Sequence, residues 1–304
     1  MTATSLESRP RTPYVSRVPS DPPTVPRVDP VVYGTAADGP LTAEQLEGYE
    51  TRGFHEFGQL VGPDEVVALE QAVGRLVEDP ALDDDERVIR EKGSGEVRSV
   101  FEVHTLDPAF AALAADPRIV DTVRQILGSD VYIHQSRVNL KPGFKGKDFY
   151  WHSDFETWHT EDGMPRMRAL SVSVSLTENF PWNGSLMVMP GSHKQFVGCL
   201  GETPESHYRE SLRSQEYGVP SHEALTRLVA EGGIHMITGG PGSAVMFDCN
   251  EMHGSNGNIT PFARRNVFLV YNSVENALVE PFAAPARRPE FIASREVVPV
   301  GHTG

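Results

Sequence analysis

The sequence predicts an α+β fold, an antiparallel barrel or sandwich flanked by helices. Helical patterning dominates between residues 40 and 127, and short apolar or alternating runs dominate after it, the order expected of an α+β domain. Turn signals separate those runs: Asn183-Gly184, Pro190-Gly191, Gly239-Gly240-Pro241-Gly242 and Gly254-Ser255-Asn256-Gly257. The chain holds 27 glycines and 24 prolines in 304 residues, and this surplus of turn formers favours many short strands over a helical bundle.

Residues 1–30 carry seven prolines, at positions 10, 13, 19, 22, 23, 26 and 30. Their fixed φ and missing N–H forbid regular helix and disfavour strand, so this stretch reads as a flexible, surface-draped arm. Residues 31–304 read as a single domain. Thr42 and Gln45 form a capping-box pattern ahead of AEQLEGYETRG, a helix that Gly53 can end. In 63–79, Val66, Val67, Leu69, Val73, Leu76 and Val77 recur at near-helical spacing. The charge run 83–87 reads as a solvated loop. Residues 108–127 read as two short helices, the second restarted at Asp116-Pro117. Strands follow at 131–140, 169–176, 186–189, 244–248 and 266–273, with a helix at 221–233 among them. There is no internal repeat.

A net charge of −15 argues against a duplex-binding protein, which needs a basic face, and against docking on an anionic membrane. No apolar run is long enough for a transmembrane helix, and the N-terminus shows no apolar core of a secretory signal. Only Cys199 and Cys249 occur, too few for a disulfide scaffold or a cysteine zinc site. Two thiols suit a reducing cytoplasm, the expected location.

The chemistry-bearing stretch is Phe149–Pro165, FYWHSDFETWHTEDGMP. In an extended segment residues i and i+2 share a face, so His152 and Asp154 can reach one metal. A distant histidine could complete a two-His-one-carboxylate face, the set that leaves positions open on Fe(II). One His-x-acid pair is weak evidence, and the chain has a second, His159 and Glu161. Downstream, His253 closes an apolar strand before a glycine-rich turn, and Arg264 opens the next strand with Arg265 beside it. A strand-borne arginine there suits the far carboxylate of a chelating 2-oxo acid, because its planar fork grips carboxylates bidentately. The alternative is two surface arginines.

In that order these residues resemble the double-stranded β-helix (jelly-roll, cupin-like) Fe(II)/2-oxoglutarate dioxygenases, within them the phytanoyl-CoA hydroxylase-like branch. Asn183-Gly-Ser-Leu-Met-Val-Met-Pro-Gly-Ser-His193 is similar to a turn-rich stretch of that branch, and the 149–165 run resembles the signature of the ectoine hydroxylases. The likeness extends through 134–144, 166–180 and 247–273, and leaves the proline-rich arm outside it.

The resemblance implies Fe(II) held by His152, Asp154 and His253. It implies 2-oxoglutarate held by Arg264 with Lys141, Asn139 and Ser255, and ectoine held by Gln135, Trp158, Phe247 and Phe268. It implies hydroxylation of ectoine to 5-hydroxyectoine, with O2 consumed and succinate and CO2 released, by a homodimer. Asp154 favours hydroxylation, because related halogenases carry a small residue there. The residues themselves support part of this: Gln135, Asn139 and Lys141 share strand parity, and a delocalised cation such as ectoine's amidinium suits aromatic faces. Ordinary core roles remain the alternative for the three aromatics. Rival readings are a same-branch hydroxylase of another small zwitterion, a zinc hydrolase and a non-catalytic metal-binding barrel.

Overall fold

The computed structural model describes residues 12–91, 95–204, 208 and 217–301. Helix α1 (Ala43–Arg52) starts at Thr42, whose side chain accepts from the Gln45 N–H while the Gln45 side chain accepts from the Thr42 N–H. It ends at Gly53, where φ is 85°. Helix α2 (Pro63–Glu78) follows, then the turn α3 (Val103–Leu106), α4 (Pro108–Ala114) and α5 (Pro117–Leu127). Asp107 and Asp116 cap the last two, each just before the proline that opens the helix. A later helix, α7, spans His222–Gly232.

The strands are β1 (Thr24–Pro26), β2 (Phe54–Gln59), β3 (Val88–Arg90), β4 (Val97–Phe101), β5 (Val131–Lys141), β6 (Phe149–His152), β7 (Ala169–Ser175), β8 (Leu186–Val188), β9 (Gln195–Val197), β10 (His235–Met236), β11 (Ser243–Asp248), β12 (His253–Ser255) and β13 (Arg264–Ser273). They form a seven-stranded sheet ordered β2-β11-β7-β13-β5-β4-β3 and a four-stranded sheet ordered β10-β8-β12-β6, with β1 and β9 paired apart. The main pairings are antiparallel. This is the α+β double-stranded β-helix expected from the sequence, flanked by helices.

Register in the large sheet sorts its two faces. Val138, Val267, Val174 and Ala244 form one file of neighbours, and all pack into the main core shared with α1, α2, α4 and α5. On the opposite face run Asn139–Asn266–Ser175 and Arg137–Phe268–Ser173–Val245. The serine-valine alternation of β7 therefore divides a helix-packed apolar face from a polar inner face, and both are buried.

Two sequence expectations change. Of the arm expected over residues 1–30, residues 1–11 lie outside the described residues, and residues 12–30 are packed on the domain. Tyr14 is 1% exposed, Arg17 is buried against Glu156, and β1 pairs with β9. Prolines exclude helix but tolerate a short extended strand beside the main sheets, and the partner that buries Arg17 lies 139 residues away. Second, His152 and Asp154 do not share one extended segment: His152 ends β6, and Asp154 opens α6 (Asp154–Thr157), which continues as a π-helical turn over Trp158–Asp162.

Candidate metal and cosubstrate site

The metal group is built at the junction of the small sheet with α6. His152 and His253 are register partners on β6 and β12, with ring centroids 4.2 Å apart. Phe155 N–H donates to the Cys249 carbonyl at 2.8 Å, tying the first turn of α6 to the turn that precedes β12. One ligand atom each from His152, Asp154 and His253 lies within 4.8 Å of the others. His152 Nδ1 donates to the Tyr150 carbonyl at 2.8 Å and His253 Nδ1 to the Glu251 carbonyl at 2.9 Å. Because a carbonyl only accepts, each Nε2 keeps its lone pair, and these atoms face Asp154 at 3.7 and 3.9 Å.

Burial, with His152 alongside, pushes His253 down to about 4, so its imidazole is neutral at neutral pH. Burial alone would raise Asp154, but the facing imidazoles and Arg137 outweigh it and hold the carboxyl well below the usual range. A neutral His253 imidazole and an ionised Asp154 carboxylate suit a divalent iron.

Beside the triad a cavity opens between the sheets. Arg98, Arg137, Lys141 and Arg264 line it, and no carboxylate does among the described residues. Arg98 pairs with Glu91 at 2.7 Å. Lys141 Nζ donates to Ser255 Oγ at 2.9 Å and the Asn256 carbonyl at 2.6 Å, and Arg264 Nη2 donates to Asn139 Oδ1 at 2.5 Å. Among the described residues the Nε atoms of Arg137 and Arg264 have no hydrogen-bond partner. Burial, with Arg264 and Arg98 adding repulsion, pushes Lys141 down to about 6. This pocket suits a small dianion that brings its own acceptors.

The structure thus brings Asn139, Lys141, Ser255, Arg264 and Phe268 to one cavity with His152 and His253. Gln135, Trp158 and Phe247 lie outside that lining. Gln135 donates to the Ile292 carbonyl at 2.7 Å and accepts from Arg137 at 3.2 Å. Trp158 packs with Tyr14, Phe155 and Phe196 and meets His134 edge-on at 5.1 Å. Phe247 packs with Phe54, Leu186 and Phe268, its ring 5.0 Å from that of His253. Arg265 turns away from Arg264 and pairs with Glu70.

The second His-x-acid pair is occupied otherwise. His159 Nδ1 contacts the Met164 carbonyl at 2.7 Å, Nε2 contacts Thr12 Oγ1 at 2.9 Å, and the ring stacks on Phe282 at 3.9 Å. Glu161 lies 3.2 Å from Arg17. Sequence reasoning missed Arg98 and Arg137. Arg137 shares the parity of Gln135, Asn139 and Lys141, a signal that was available; its guanidinium lies 5.0 Å over the Phe268 ring.

A phytanoyl-CoA dioxygenase (PhyH) family profile matches residues 49–266. The ectoine dioxygenase of Streptomyces anulatus is 59% identical over 278 residues, covering 91% of this chain and 94% of its own. That of Sphingopyxis alaskensis is 54% identical, covering 93% and 92%. The crystal structure of EctD from S. alaskensis with 2-oxoglutarate and 5-hydroxyectoine aligns with a TM-score of 0.86 at 48% identity, covering 95% of this chain and 97% of that one. The same enzyme with bound Fe aligns at 0.85.

Proposed function

The chain belongs to the phytanoyl-CoA dioxygenase (PhyH) family, and from that premise we propose that it hydroxylates ectoine to 5-hydroxyectoine. Fe(II), with 2-oxoglutarate as cosubstrate and O2, supplies the oxidising power to hydroxylate an unactivated C–H bond and releases succinate and CO2. The observation that carries the reading is the placement of a cationic cavity without acidic lining directly against the His152, Asp154, His253 group. A zinc hydrolase has no evident use for that second feature.

Each residue then has a task. His152, Asp154 and His253 hold the iron and leave its remaining positions to the cavity. Arg264 and Lys141 receive the distal carboxylate of 2-oxoglutarate, with Asn139 and Ser255 fixing the directions of the two cations through their hydrogen bonds. Phe268 supplies an apolar face of the cavity for the ectoine ring, Phe247 backs it beside the His253 ring, and Gln135, bonded to Arg137 on β5, and Trp158, in the π-helical turn after α6, border the ectoine side from outside the lining. Arg137, half-buried over Phe268 and making no close ion pair among the described residues, receives the ectoine carboxylate. Its charge and that of Arg264 separate the two anionic groups of the reaction, so each substrate has one polar address. The polar inner face of β7 lies behind them, with Ser171 Oγ donating to Asp154 Oδ2 at 3.3 Å.

Among the described residues no helix is long and apolar enough to cross a membrane. The supply of 2-oxoglutarate and Fe(II) favours the cytoplasm as the site of reaction, and a homodimer belongs to the same proposal. The test is product analysis by mass spectrometry after anaerobic Fe(II) loading, then addition of 2-oxoglutarate, ectoine and air. Ectoine gaining one oxygen atom with succinate released supports the reading. Conversion of other small zwitterions but not ectoine overturns it.

A further inference from the structure

The α6 segment is crowded with buried charge. Glu156, Glu161 and Asp162 are each at most 2% exposed, and an uncompensated carboxylate at such depth is strongly unfavourable. Their compensation comes from two remote segments. Arg17 grips Glu156 with both edges of its fork, Nε to Oε1 at 2.7 Å and Nη2 to Oε2 at 2.9 Å, and reaches Glu161 at 3.2 Å. Ser16 Oγ adds a hydrogen bond to Glu156 Oε1 at 2.5 Å. From the other end of the chain Arg288 takes Asp162, Nε to Oδ1 at 2.8 Å and Nη2 to Oδ2 at 2.5 Å.

The segment that carries Arg17 touches the second metal-bearing element too. Arg27 donates to Asp248 Oδ1 at 2.8 Å and to the Met167 carbonyl at 2.7 Å. Asp248 Oδ1 also accepts from the Asn250 N–H at 2.8 Å, in the turn that leads into His253. Residues 12–29 thus fasten both α6, which begins with the ligand Asp154, and the turn that delivers the ligand His253. Arg17 sits at φ 58°, a left-handed conformation held in place although it is not glycine, and its own N–H donates to the Cys199 carbonyl at 2.9 Å.

We infer that Arg17 is a positioning residue for the reaction: its bidentate grip on Glu156 fixes α6 in the orientation that aims Asp154 at the two histidines. The inference rests on the reading of His152, Asp154 and His253 as iron ligands. It gives residues 12–29 a task in metal binding although none of them lines the cavity.

The experiment compares wild type with Arg17→Lys and the double variant Arg17→Met/Glu156→Gln. The double variant removes the Arg17–Glu156 charges together, so Glu156 is not left buried and unpaired, and Glu161 keeps Arg288 at 3.7 Å. The readouts are thermal stability, Fe(II) affinity by anaerobic titration, the Co(II) absorption spectrum as a report of coordination geometry, and succinate released per product hydroxylated. The expected result is a double variant that folds but binds Fe(II) about 10-fold or more weaker, the usual scale for removing support behind a metal ligand. Its Co(II) spectrum is altered and its succinate-to-product ratio raised. Arg17→Lys, which keeps the charge and loses the fork, falls between. Wild-type affinity, spectrum and coupling in a folded double variant overturn the inference. If the double variant does not fold, Arg17→Lys decides: weaker iron binding supports it and wild-type binding overturns it. Metal titration needs no ectoine, so the outcome is separate from the identity of the substrate, and a wild type that binds no Fe(II) removes both readings.

Discussion

Lys141 on β5 and Arg264 on β13 are direct register partners, two basic side chains opposed across neighbouring strands at 4% and 3% exposure. Like charges in that relation destabilise a sheet, and no carboxylate among the described lining residues relieves them. The pair makes physical sense as one half of a site whose other half arrives with a dianionic cosubstrate.

Arg264→Ala is expected to raise the KM for 2-oxoglutarate far more than that for ectoine. Losing the partner of a buried carboxylate costs about 2–5 kcal/mol, roughly 30-fold or more in affinity. Arg265→Ala, which breaks only the pairing with Glu70, is expected to leave that KM within a few-fold of wild type. Steady-state kinetics of both variants checks this. An effect confined to Arg265 would mean that the β13 register is shifted by one residue.

Lys141 makes cosubstrate binding pH-dependent. Its folded value of about 6 lies below the ordinary 10.5, so between those values the unfolded chain binds more protons and stability without cosubstrate rises with pH. A neighbouring dianion favours the charged amine, so binding above about pH 6 takes up a proton and weakens as pH rises. Calorimetric titration in two buffers of different ionisation enthalpy should show uptake approaching one proton at about pH 8, and none for Lys141→Met. Zero uptake in wild type would show that Lys141 stays charged in the empty pocket.

Arg137→Met is expected to weaken ectoine while sparing 2-oxoglutarate. A lost charge-assisted hydrogen bond costs about 1.5–3 kcal/mol, one to two orders of magnitude in KM. Trp158→Ala should weaken ectoine strongly and Trp158→Phe should recover part of it, because a phenyl face retains some attraction for a cation. Loss of folding in Trp158→Ala with unchanged ectoine affinity in Trp158→Phe would make this residue part of the Tyr14–Phe155–Phe196 core alone.

Gly53 is expected to tolerate no side chain. A Cβ there would lie 2.0 Å from Glu251 Oε2 and 2.4 Å from His193 Nδ1, at a φ of 85°. Gly53→Ala should cost at least about 2 kcal/mol through left-handed strain and displacement of that buried pair. Thr42→Ala, at the other end of α1, should cost about 1 kcal/mol. Denaturant melts of the two variants give the ranking directly, and a Gly53→Ala protein as stable as wild type would contradict the packing around Glu251.

What the sequence made legible was local. The Thr42–Gln45 box and Gly53 bracket α1 because caps act over one turn. The alternation in 169–176 located β7, but its period could not tell a half-buried strand from one whose polar face lines an enclosed chamber. The metal residues were readable from order and residue type, while the helical start at Asp154 was not, because nothing in His-Ser-Asp marks the switch from β6 to α6. The fastening of residues 12–30 was invisible for the same reason that it works: Arg17 and Glu156 meet only in the folded chain. Arg98 stayed hidden because the short run Val97–Phe101 carries no strand signal as strong as its neighbours.

The most direct measurement is a reaction of the Fe(II)-loaded protein with 2-oxoglutarate and ectoine under isotopically labelled O2, with both products weighed by mass spectrometry. Ectoine hydroxylation coupled to 2-oxoglutarate decarboxylation places one labelled oxygen atom in 5-hydroxyectoine and one in succinate, in equal amounts, and neither label appears with His253→Ala. Labelled succinate with unmodified ectoine, or 5-hydroxyectoine formed without succinate, would contradict the assignment.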